Sequence, residues 1–252
     1  MRKLWRTAAA ALGAGLLIGS AASAQTLTVA ADTSLTEAMP ALARGFEAAH
    51  PGAEVKVVLG ASGTLLERIG AGLPADVLAS ADAETATLGI QRQLIVPDLR
   101  SVFATNTLVL ITPASLTLPL RHLSDLTRPE VVRIAIGRRS EVPAGRYARQ
   151  VIDAARLWPS VQRKVVEVDT VRDVLNLVAQ GDVEAGFVFT TDVAHTPDRV
   201  RVVETLEATT PIRYPAHVVA ASRQPALARA FVEWLRSAPA RAVLQQAGFG
   251  LP

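Results

Sequence analysis

The chain has 252 residues, half of them hydrophobic and 19% charged, which is enough for one or two packed domains and too apolar for intrinsic disorder. Arg2, Lys3 and Arg6 carry the formal excess of +3, and beyond them 23 basic residues face 23 acidic ones, so a phosphate-tracking nucleic-acid binder is excluded. The lack of cysteine excludes a disulfide framework, a thiolate nucleophile, an iron–sulfur cluster and a cysteine-based zinc site.

The chain opens with the three parts of an export signal: a basic segment from Met1 to Thr7, an apolar run from Ala8 to Ile18, and the small-x-small triplet Ala22-Ser23-Ala24. The apolar run falls short of the roughly 20 residues that cross a bilayer as a helix. Cleavage is expected after Ala24, leaving a periplasmic protein that begins at Gln25, and no cysteine follows to carry a lipid. From there strands and helices alternate. Leu27–Ala31 reads as a buried strand, Leu35–Ala48 as a helix with Leu35, Met39, Leu42 and Phe46 on one face, and Val55–Leu59 as a strand. A helix over Thr64–Ile69, a strand over Ala75–Ala79 and a helix over Ala83–Gln93 follow, then a strand at Leu108–Thr112.

A second series runs through strand Val132–Ile136, helix Gly145–Leu157, strand Val165–Val168, helix Val171–Ala179, and strands Gly186–Phe189 and Val200–Val203. Strand Tyr214–Ala220 and helices near Ala226–Ser237 and Pro239–Ala247 close the chain. Strands that are apolar throughout, separated by helices, predict an α/β protein whose mostly parallel sheets are covered on both faces. Two such series predict two lobes with a cleft between them: residues 25–109 with 215–252, and residues 110–214. Ligands of such folds bind outside the carboxyl ends of the strands, where helices begin.

Small polar residues gather at those turns. The first is Asp32-Thr33-Ser34-Leu35-Thr36-Glu37, in which Ser34 and Glu37 also fit a capping box. The second is Gly60-Ala61-Ser62-Gly63-Thr64. Val142-Pro143-Ala144-Gly145 offers only the backbone N–H of Ala144, and Asp169-Thr170-Val171 opens a further helix. Taken singly, such turns are more often caps than ligand sites. Four helix starts aimed into one cleft make an anion site.

Other constellations are weak. His50, His122, His195 and His217 have no metal-ligand spacing, and Gly60-Ala61-Ser62-Gly63 is not a nucleophile elbow. No carboxylate pair suggests glycosidase chemistry, and Trp158 and Trp234 read as packing residues.

The segments Ser34-Leu35-Thr36, Ala61-Ser62-Gly63-Thr64-Leu65, Pro74-Ala75-Asp76-Val77 and Val142-Pro143-Ala144-Gly145-Arg146-Tyr147-Ala148 resemble those of the molybdate-binding periplasmic proteins of ABC transporters. Val171-Arg172, Gly186-Phe187-Val188-Phe189 with Asp192, Tyr214-Pro215 and Gly248-Phe249 continue the resemblance. It implies a type II periplasmic-binding fold and a receptor that is no enzyme. The receptor needs no cofactor, acts as a monomer and delivers its ligand to a permease with its ATPase subunit. The resemblance also implies an oxyanion held by neutral donors, with molybdenum present only inside the anion and no protein ligand on the metal. Position by position, Ser34 and Ser62 supply hydroxyl and N–H, and Ala144 and Val171 supply backbone N–H. The family's tyrosine position is Phe189, which lacks the hydroxyl. Thr33, Thr170, Thr190 or Tyr147 could replace that donor.

A fully ionised oxyanion has only acceptors, so a site of donors alone suits molybdate, tungstate or sulfate. Asp32 and Asp169, each two residues before a donor, leave room for an acceptor facing a protonated anion. Phosphate, sulfate or an organic acid on the same fold is the alternative ligand class. An exported hydrolase using Ser34 or Ser62 is the alternative from another class, and it lacks a base at recognisable spacing.

Overall fold

In the computed structural model, which describes residues 25–98, 102–194 and 196–252, the chain builds two five-stranded sheets. The expected signal segment with its cleavage site, and His195, lie outside the described residues.

Strands β1 (Gln25–Asp32), β2 (Ala53–Gly60), β3 (Val77–Ala79) and β4 (Val102–Thr105) belong to the first sheet. Strands β5 (Leu108–Pro113), β6 (Ile134–Gly137), β7 (Val165–Val168), β8 (Ala185–Phe189) and β9 (Val200–Leu206) form the second, and β10 (Arg213–Val218) returns to the first. The orders are β2-β1-β3-β10-β4 and β7-β6-β8-β5-β9. In each sheet four strands point the same way and one, β10 or β5, runs against its two neighbours. The sheets are therefore mostly parallel, as expected, and share one layout. The chain passes between them twice, just before β5 and just before β10.

The helices are α1 (Met39–Ala49), α2 (Ser62–Gly70), α3 (Ala83–Gln91), α4 (Pro143–Ala154), the short α5 (Trp158–Val161), α6 (Val171–Gln180), the short α7 (Thr190–Val193), α8 (Pro225–Trp234) and α9 (Ala238–Gln246). Three four-residue elements escape the sequence reading: β4, α5 and α7. They are too short for a period to show.

The expected helix from Leu35 is divided. Thr33–Leu35 forms a 3-10 turn because the Asp32 carboxylate accepts the Ser34 N–H at 3.0 Å, and α1 begins only at Met39, with Pro40 in its first turn. Proline has no N–H to lose there. Met39, Leu42 and Phe46 still form the buried stripe. Strand β6 starts two residues later than expected because the Val132 and Arg133 amides go to the Glu184 carboxylate (2.8 and 2.6 Å). Helix α4 starts at Pro143, and Gly145 seats it on β6, since a Cβ there would lie 1.8 Å from the Gly137 carbonyl oxygen.

Most of the buried apolar residues of both sheets form one continuous core, from Leu27 and Phe46 through Leu110 and Phe187 to Phe231. Trp234 packs edge-on to Phe46, while Trp158 lies under the Arg149 guanidinium at 3.7 Å. Both are packing residues.

Candidate functional site

The site follows from register. Asp32 is the last residue of β1 and pairs with Gly60 at the end of β2, while Ala31 pairs with Ala79 at the end of β3. The turns beyond these strands therefore emerge side by side: the Ser34 turn, the Ser62 turn and Ser80-Ala81-Asp82. In the second sheet Gly137 pairs with Val168, so the segments leading to α4 and α6 also emerge together.

Ser34 and Ser62, thirty residues apart from Asp32 in the second case, meet on one carboxylate. Asp32 Oδ1 accepts from the Ser34 amide at 3.0 Å and its hydroxyl at 2.7 Å. Asp32 Oδ2 accepts from the Ser62 amide at 3.0 Å and its hydroxyl at 2.6 Å. All three residues are buried. Helix α2 is preceded by Ala61, which has no side-chain acceptor, so Asp32 caps it from the neighbouring strand. The Ser34–Glu37 capping box is not formed: Ser34 turns to Asp32, and Glu37 bonds Arg172 of α6 at 3.3 Å.

Donors stand behind these donors. The Ser62 oxygen accepts the Ala81 amide at 3.0 Å. Tyr214 Oη lies 2.9 Å from Ser34 Oγ and accepts from Asn106 Nδ2 at 3.1 Å. Because the single Ser34 hydroxyl proton points at Asp32, the Tyr214 hydroxyl donates to Ser34. The chains Asn106–Tyr214–Ser34 and Ala81–Ser62 thus both end at Asp32.

The second sheet brings two helix starts. Ala144 and Val171, both buried, occupy the second and first positions of α4 and α6, where a backbone N–H has no acceptor inside its helix. Val142, ahead of α4, offers no cap, and the Thr170 hydroxyl takes the Asp173 amide and leaves Val171 alone. Helix α6 packs on the Ser34 turn. The segment before α4 reaches the Ser62 turn, where the Gly63 amide donates to the Glu141 carbonyl at 2.8 Å and the Thr64 hydroxyl to the Glu141 carboxylate at 2.8 Å.

Phe189 is fully buried, 5.9 Å from the Tyr214 ring and 6.3 Å from the Tyr147 ring, centroid to centroid. Of the substitute donors expected, Thr170 is bound to Asp173 and Thr190 to the Thr107 carbonyl, while Thr33 Oγ1 is buried without a hydrogen-bond partner among the described residues. Tyr214 is the hydroxyl sequence reasoning missed. The available signal was a tyrosine inside an apolar strand, which needs a polar partner when buried. Of the two aspartates read as acceptors, Asp32 lies at the centre and Asp169 does not: Asp169 is exposed and paired with Arg138 at 2.6 Å.

Burial pushes the Asp32 carboxyl above the ordinary carboxylate range, against the hydrogen bonds from Ser62 and Ser34, and nearby Asp82 adds to the rise. Asp82 is itself bound by Arg146 of α4, Nε to Oδ2 at 2.8 Å. Burial raises Asp192 to about 7, although its carboxylate accepts the Phe189 amide at 2.9 Å. Burial first, then the Asp32 charge, pushes the Tyr214 hydroxyl well up.

Among the described residues no histidine bonds Ser34 or Ser62; the group both hydroxyls meet is the Asp32 carboxylate. His50 stacks on Phe46 and bonds its carbonyl, and His217 bonds the Val96 carbonyl. Among the described residues no group of three or more acidic or histidine side chains could hold a metal ion, and no helix is long and apolar enough to cross a membrane.

Residues 27–250 match the family model described as bacterial extracellular solute-binding protein. The chain is 31% identical over 257 residues to the molybdate-binding protein ModA of Haemophilus influenzae, covering 99% of both chains. It is 33% identical to ModA of Mycobacterium tuberculosis, over 93% of this chain and 88% of that one. The fold matches the periplasmic molybdate-binding protein of Azotobacter vinelandii with a TM-score of 0.76 at 24% identity, over 90% of this chain and 99% of that one. These relatives are binding proteins and not enzymes, and the two-lobed α/β architecture, the paired strand-end turns and the match over nearly the whole chain establish that this chain belongs to the bacterial extracellular solute-binding proteins.

Proposed function

We propose that the protein is the periplasmic receptor of an ABC importer for a tetrahedral oxyanion, molybdate and with it tungstate, which it hands to a permease and its ATPase. The carrying observation is the convergence of four donors, two N–H and two hydroxyls from Ser34 and Ser62, within 3.0 Å of one buried carboxylate. A pocket that holds a carboxylate this way has the donor set an oxyanion needs. Ala144 and Val171 add N–H groups from the second lobe, at helix ends that favour negative charge. The relatives named molybdate-binding protein support the choice of anion. The lobes are the first sheet and the second sheet, each with its helices, and divide just before β5 and just before β10; the protein is exported by its leader and cleaved after Ala24. Phe189 stands where a further donor is expected, and Tyr214, behind Ser34, polarises that serine instead.

Calorimetric titration at pH 6 with molybdate, tungstate, sulfate and phosphate in parallel tests the reading. Molybdate and tungstate are expected to bind. Ser34→Ala or Ser62→Ala each removes one hydroxyl to a charged ligand, about 1.5–3 kcal/mol, and should weaken binding by roughly one to two decades. A response to an organic acid with none to any oxyanion would overturn the assignment.

Gly63 tests the closure of the cleft. A Cβ there would stand 2.7 Å from the Glu141 Cα across the cleft, backbone that cannot swing aside. Gly63→Ala should weaken the anion by about 1–3 kcal/mol, as overpacking costs. Equal affinity in variant and wild type would show that binding does not need this contact.

A further inference from the structure

The Ser34 and Ser62 donors do not stand free: they are aimed at a carboxylate. Resting on the oxyanion reading above, we infer that Asp32 couples binding to a proton. The anion enters this cleft together with one proton, which bridges the Asp32 carboxylate and an oxygen of the anion.

Asp32 accepts from all four donors, and the two relays behind them point the same way. None of the ion pairs among the described residues includes it. The charged and titratable groups facing it come from three directions. Asp82, at the start of α3, is neutralised by Arg146; Tyr214 lies on β10; Asp192 lies on α7, with Arg172 and Glu37 beside it. An ionised Asp32 is thus held by neutral donors in acidic surroundings, and a dianion brought to the same donors meets a like charge at contact distance. One proton changes the sign of that contact. Asp32 then offers an O–H to an anion oxygen, or accepts one from a protonated anion, and the four donors are shared between two groups carrying one negative charge fewer. Hydrogen bonds of the O–H···O⁻ type are the short, strong kind. Burial, which favours the neutral carboxyl, works in the same direction. The ligand class this geometry selects is an oxyanion that carries a proton or shares one, rather than any anion of the right size.

The test uses molybdate, which brings no proton of its own at neutral pH, so each proton in the complex comes from solution or from the protein. Titrations of the intact mature chain from pH 6 to 8.5, in two buffers of different ionisation enthalpy, count the protons taken up. Uptake is expected to approach one proton per anion at the pH where free Asp32 is ionised, with affinity falling up to tenfold per pH unit there. Asp32→Asn, which keeps the shape and cannot ionise, should bind with no proton taken up at this position, a much flatter pH profile, and at pH 8.5 an affinity at least tenfold tighter than wild type. Asp192→Asn, the control for the other raised carboxyl, should keep the uptake. Wild-type affinity independent of pH with no proton uptake overturns the inference and spares the oxyanion reading, as does a wild type silent at every pH while Asp32→Asn binds. Failure of both proteins to bind overturns the oxyanion reading and this inference with it.

Discussion

Arg146→Ala is expected to lower the stability of the folded protein by about 3–5 kcal/mol, the cost of leaving a buried charge without its partner. Arg146 is only 8% exposed and Asp82 only 2%. Arg146 stands on α4 of the second sheet and fastens to the strand-end turn of the first. Its Nε and Nη2 reach Asp82 Oδ2, Nη2 reaches the Thr85 hydroxyl at 2.7 Å, and Nη1 reaches the Arg139 and Ser140 carbonyls at 3.1 and 3.2 Å. A lysine cannot reproduce that planar fork, so Arg146→Lys should recover little. Removing both charges, as Arg146→Met with Asp82→Leu, should recover much of the loss, because no ion is then left stranded. Urea unfolding of the three variants measures this. A loss below about 1 kcal/mol for Arg146→Ala would mean that the pair is hydrated in solution and the lobes stand apart.

The second large effect is a pH dependence set by Asp192. Its carboxyl rises from 3.8 to about 7 because it is buried, with Asp32 and Glu37 adding to the rise and the Phe189 amide and Arg172 opposing it. Between those two values the folded chain holds a proton that the unfolded chain has released. Stability from this group is therefore present at low pH and lost as pH climbs through about 7. From pH 5 to pH 8 the loss amounts to about 2–3 kcal/mol at 1.36 kcal/mol per pKa unit. Asp192→Asn keeps an oxygen for the Phe189 amide and cannot ionise, so the loss should be absent. Unfolding free energies of wild type and variant at pH 5 and pH 8 check it. Parallel pH curves for the two proteins would place the titration on another group.

The amino-acid sequence by itself determined the alternation of strands and helices, because hydrophobic period is a local property that eleven to eighteen residues suffice to display. It also determined where chemistry could occur, since in a parallel sheet helix starts follow strand ends. Ser34, Ser62, Ala144 and Val171 all sit at such starts in the structure. Short elements were lost for the same reason: β4, α5 and α7 hold too few residues for a period. What only the tertiary structure decided was who meets whom. Asp32 bonds Ser62 thirty positions away, Arg146 meets Asp82 across 64, and Tyr214 meets Ser34 across 180. No spacing rule reaches those distances, because they are set by β1 lying between β2 and β3 and by β10 returning beside β3. The sequence showed an aspartate two residues before a serine. Strand register is what turns that aspartate into the group on which the donors of the site converge, since Asp32 pairs with Gly60 and so faces the amide and hydroxyl of Ser62.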